Sequence, residues 1–158
     1  MTAMSVEPPV VRETATPRLD YRGVFGWPVR WHNGGLTLVT GGGIGGVAVP
    51  KGLAEQIISN VGRQGCSGPA VSVPTRHGMV VILLVEADAL AALDDPLPDG
   101  VKVLTAGTAI PLPNERRPDD LARWLVPPDI HQRWLPSQTA VLASIRSVFR
   151  ARRHVAAR

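Results

Sequence analysis

Short apolar runs bounded by glycine and proline dominate this chain, and helical periodicity is clear in only two places. Trp27 to Trp31 reads as a strand, Gly34-Gly35 as a turn, and Leu36-Thr37-Leu38-Val39 as a second strand. Glycines between 41 and 46 predict a flexible bend, after which Val47-Ala48-Val49 resumes extended structure. Pro50 suits the first turn of a helix. Leu53, Ile57, Ile58 and Val61 recur at helical spacing, which predicts an amphipathic helix over 51–63, ended by Gly62 or Gly65.

Ala70-Val71-Ser72-Val73 is the next strand, and Arg76-His77-Gly78 a turn. Met79 to Val85 is wholly apolar and rich in β-branched residues, as in a central strand covered on both faces. Ala87 to Leu93 reads as a short helix or turn. Val101 to Leu104, Ala109 to Leu112 and Ala122 to Val126 are further strands, with a polar loop over 113–120, and Pro127-Pro128 closes the unit. The second clear helix starts at Pro136-Ser137, with serine as N-cap. Its apolar stripe is Val141, Leu142, Ile145, Val148 and Phe149, while Arg146, Arg150 and Arg153 recur on another face. Residues 1–18 carry prolines without periodicity and read as a disordered arm. The pattern predicts an α+β fold with a mixed, largely antiparallel sheet. Its parts are the arm (1–18), a domain over 19–128, and a basic C-terminal helix and tail over 129–158.

The size of the chain, 158 residues with 44% apolar, allows one domain with a substantial core. Met79 to Val85 is the longest apolar run, too short to span a bilayer. No signal-peptide pattern opens the chain, and one cysteine, Cys66, allows no internal disulfide. A cytoplasmic location without a membrane partner is therefore expected. Charge is unevenly placed. Residues 1–129 hold 11 basic and 13 acidic side chains, whereas residues 130–158 hold six arginines and no acid. Such a block fits a polyanion such as DNA or RNA, and equally a solvated tail. The 15 arginines against 2 lysines read as base composition of the coding sequence.

Gly41, Gly43 and Gly46 match G-x-G-x-x-G, but Val47-Ala48-Val49-Pro50 follows where a dinucleotide fold opens a helix. His32, His77, His131 and His154 show no metal-ligand spacing with Cys66. Cys66 reads as a small buried or loop residue. The pairs Asp94-Asp95 and Asp119-Asp120 lie in proline-rich segments and read as solvated acids. Neither a cofactor nor a metal is expected from these residues.

A set of motifs in order carries a resemblance. Gly26-Trp27-Pro28-Val29 is followed by the Thr40-Gly41 bend into a strand, the Gly78-led apolar strand, and Gly100-Val101-Lys102-Val103. Then come Gly107-Thr108-Ala109-Ile110-Pro111-Leu112-Pro113 and Arg123-Trp124 before Pro127-Pro128. Over Tyr21 to Pro128 this order resembles the bifunctional DNA primase/polymerase N-terminal domain of the archaeo-eukaryotic primase superfamily. The resemblance implies metal-binding acids on the strand after the glycine bend, a histidine on the Gly-led strand, and a third aspartate further on. The matching positions here are Ala48, Val49 and Pro50, then Val80, then Lys102, with His77 just outside the register. Two-metal nucleotide transfer needs several convergent oxygen ligands, and a lysine repels the cation. Glu86 and Asp88 are the nearby acids that could substitute.

Three functions compete. The first is a degenerate, non-catalytic primase/polymerase-like protein binding nucleic acid or nucleotide, to which the basic C-terminal helix, outside the span of the resemblance, adds phosphate contacts through Arg146, Arg150, Arg152 and Arg153. A second is a protein-interaction or self-association module through Ile145, Val148 and Phe149. In that case the arginines only solvate the helix, and the alternative is that the stripe packs on the chain's own sheet. The third is a surviving metal-dependent primase or polymerase.

Overall fold

In the computed structural model, residues 20–32, 35–88, 96–113 and 122–156 are described. The expected arm, most of the 87–93 segment, both aspartate pairs and the polar loop beyond Pro113 lie outside them. A short helix α1 (Tyr21–Phe25) opens the described chain, with the Asp20 carboxylate accepting from the Gly23 N–H. Strands β1 (Val29–His32) and β2 (Gly35–Val39) follow, then β3 (Ile44–Pro50) and helix α2 (Lys51–Arg63). After them come β4 (Ala70–Thr75), β5 (Gly78–Glu86), β6 (Lys102–Val103), β7 (Ala109–Pro111), β8 (Arg123–Val126) and helix α3 (Gln138–Ala156).

The fold is α+β, and every strand pairing is antiparallel. The expected single sheet is two: a three-stranded sheet in the order β1-β2-β7 and a five-stranded one in the order β6-β3-β5-β4-β8. The division follows from the glycine segment. Gly41 and Ile44 bridge each other, and Gly42-Gly43, both with positive φ, form a two-residue turn. The bend is therefore tighter than expected, and Gly45 and Gly46 lie within β3. Pro50 ends β3 and caps α2, rather than sitting in the helix's first turn. Gly65, at φ 75°, lies just beyond the C-cap of α2. The expected strand at Val101 to Leu104 shrinks to Lys102–Val103.

The β5 strand is central, as its apolar run predicts. Val81, Leu83 and Val85 face one buried cluster, and Ile82 and Leu84 another. On the first face lie α2, through Ala54, Ile57 and Val61, and α3, through Val141, Leu142, Ile145 and Val148. On the second lie Val29 and Leu38 of the small sheet and an aromatic group. In that group Trp27 stacks between Tyr21 (5.5 Å) and Phe25 (5.0 Å), and Trp124 donates its indole N–H to the Tyr21 hydroxyl at 3.1 Å.

Candidate nucleic-acid interface

Helix α3 starts where the serine signal places it: the Ser137 hydroxyl accepts from the Ala140 N–H at 3.1 Å. Its apolar stripe turns inward. Ile145 is fully buried, Val148 is buried, and Phe149 packs half-buried against the same cluster. Of the two expected arrangements, this is the packing on the chain's own sheet, because α2 and β5 offer the apolar surface that the stripe needs. A self-association surface made of Ile145 and Val148 is thus covered.

A polar contact fixes α3 against α2. The Asn60 amide donates to both the carbonyl (3.1 Å) and the hydroxyl (2.7 Å) of Ser144, all buried. Gln56 of α2 accepts from Arg152 of α3, so the two helices run antiparallel at this contact. Between them lies an open cleft of about 870 Å³, with Glu55, Gln56, Ser59 and Arg63 on one side and Ser147 and Arg152 on the other.

The four arginines singled out in the sequence do not act as one set. Arg150 and Arg153 are exposed and make no hydrogen bond or ion pair among the described residues. Arg152 is exposed and donates to Gln56 at 3.2 Å. Arg146 is half-buried, with its Nε enclosed, so it belongs to the helix's packed margin and not to the free cationic end. One cation the sequence reading omitted, Arg63, reaches the cleft from the end of α2, where it donates to the Asn60 amide oxygen at 3.1 Å. Arg63 lies far from the basic block in sequence, and only the antiparallel helix pairing brings it to the cleft. A guanidinium carries five N–H donors, so one bond to Gln56 or Asn60 leaves others for a phosphate.

Ala48, Pro50, Val80 and Lys102 lie on neighbouring strands. Pro50 pairs with Val80, and Ala48 pairs with Ile82 on one side and Lys102 on the other. Cross-strand partners share a face, so these side chains emerge together on the face that meets the small sheet. Ala48 and Val80 pack there with Leu104, and Lys102 is exposed on the edge strand β6. Glu86 does not reach this place. It pairs with Ile44, six residues along β5 from Val80, about 20 Å at the usual strand rise. Asp88 accepts from the Thr139 hydroxyl at 3.0 Å, near the start of α3. His77 is exposed in the β4–β5 turn. Among the described residues, no three His, Cys, Asp or Glu side chains gather as a metal set.

No protein-family model matches this chain, and neither a curated protein nor a solved structure is significantly similar to it. No helix among the described residues is long and apolar enough to cross a membrane.

Proposed function

We propose that this chain is a non-catalytic, primase/polymerase-like protein that binds nucleic acid through the cationic end of α3. One observation carries the reading. Arg150 and Arg153 are exposed and unpaired among the described residues, and Arg152 with Arg63 flanks a cleft between two helices linked by the Asn60–Ser144 hydrogen bonds. A second supports the non-catalytic part: none of Ala48, Pro50, Val80 and Lys102 carries a carboxylate, and among the described residues no three His, Cys, Asp or Glu side chains gather as a metal set. Contacts of guanidinium groups with phosphates are indifferent to sequence and sensitive to salt. The cleft lining carries two arginines, Arg63 and Arg152, against one acid, Glu55, so its balance of charge favours an anion.

Fluorescence anisotropy with a labelled oligonucleotide tests this. Micromolar binding is expected at ~50 mM salt, weakening as salt rises. The Arg150→Ala, Arg153→Ala pair should weaken binding and reduce the salt slope by roughly 1.4–1.8. Absence of binding at that salt overturns the binding part. Manganese-dependent nucleotide incorporation by the purified chain overturns the non-catalytic part.

A further inference from the structure

A second concave site lies at the other end of the central strand. The β2–β3 turn, the end of β5 and the 133–136 segment are drawn together there by backbone hydrogen bonds. The Ala87 N–H donates to the Gly43 carbonyl and the Glu86 N–H to the Pro136 carbonyl, each at 2.8 Å. Together with the chain from Phe25 to Pro28, these segments enclose an open bowl of about 450 Å³. Phe25 lines its wall and is held in place by stacking on the buried Trp27. Gly41, Gly42 and Gly43 form its floor, all at positive φ, and no atom lies within 4 Å of where a Cβ would sit on any of them. The Arg133 guanidinium and the Glu86 carboxylate line the same bowl. Both are exposed, and neither side chain has a hydrogen-bond or ion-pair partner among the described residues.

We infer that this bowl binds a phosphorylated aromatic molecule of nucleotide size, either free or as the end of a strand. The assignment follows from the chemistry of the rim. Arg133 supplies a forked cation for phosphate. Phe25 supplies an aromatic surface against which a flat base stacks. Glu86 repels phosphate and accepts from a base amino group or ribose hydroxyl, so the two charges orient the ligand. A side chain on these glycines would project into the open bowl, and their positive φ values disfavour one. The site is separate from the Ala48–Val80–Lys102 face: along β5, Glu86 lies four residues (about 13 Å) from the partner of Ala48 and six (about 20 Å) from Val80. It also stands apart from the α3 reading, since Arg133 precedes that helix.

Isothermal titration of the full chain with AMP, adenosine and inorganic phosphate tests the inference. AMP should bind saturably and more tightly than adenosine or phosphate alone. Arg133→Ala should weaken AMP about tenfold, the effect of one charge-assisted bond, and leave adenosine unchanged. Arg133 is exposed, so this variant keeps the fold. The Arg150→Ala, Arg153→Ala pair should retain AMP binding, which separates this site from the α3 interface. A 5′-phosphorylated oligonucleotide competing with AMP more strongly than its unphosphorylated form identifies a strand end as the source; failure to compete identifies the free molecule. No saturable heat with AMP at ~1 mM, or binding of AMP unaffected by Arg133→Ala, overturns the inference.

Discussion

Gly46 is extended within β3, so backbone freedom does not explain it. A Cβ there would meet Ile82 Cγ2 and Leu104 Cδ1, each at 2.9 Å, on the face where the two sheets meet. Gly46→Ala is expected to destabilise the protein by about 1–3 kcal/mol, measured by urea unfolding, because a packed interior accommodates added volume poorly. Cys66 makes a different test. Burial pushes its thiol up, only partly offset by a hydrogen bond with its own backbone. Alkylation by iodoacetamide should be slower in the native chain than in urea at the same pH, since the thiolate is the reactive form. The folded state retains the proton longer than the unfolded one. Its contribution to stability is therefore constant below the unfolded thiol value of about 8.5 and declines as pH rises past it.

At the scale of elements, the α2–α3 pair depends on both its apolar stripe and one buried polar link. Asn60 and Ser144 are buried and satisfy each other. Asn60→Ala leaves the Ser144 hydroxyl without its donor in an apolar setting, and should cost about 1–3 kcal/mol in chemical denaturation. It should also widen the cleft that holds Arg63 and Arg152, since Asn60 anchors Arg63. A weaker salt slope in oligonucleotide binding would show this. The helix boundaries themselves follow from local signals: Ser137 caps α3, and Gly65 follows α2 in a left-handed conformation.

For the whole molecule, α3 is part of the core and not an appendage. Val141, Leu142, Ile145 and Val148 share one buried cluster with Val47, Val81 and Leu83 of the five-stranded sheet. Truncation before Pro136 should therefore abolish cooperative unfolding and leave an insoluble chain, as seen by circular dichroism and light scattering. A shortened chain that stays soluble and folded would show that the sheet holds without the helix. The strongly basic tail thus has a structural inner face and a cationic outer one. Removing charge from Arg150 and Arg153 separates the two roles without disturbing packing.

Period and punctuation alone determined most of the elements. The apolar β-branched run at 79–85 could only be a doubly covered strand, and the 3.6-residue stripes at 53–61 and 141–149 could only be helices needing a partner. Glycine bends are less legible, because a row of glycines permits a tight turn and a strand equally. Pairing of Ile44 with Glu86 settled that Gly45 and Gly46 are strand and not bend. The division into two sheets, the placing of Arg63 and Arg152 on one cleft, and of Arg133 and Glu86 on one bowl, join residues distant in sequence. Periodicity carries no record of such neighbours; the antiparallel register and the helix packing create them.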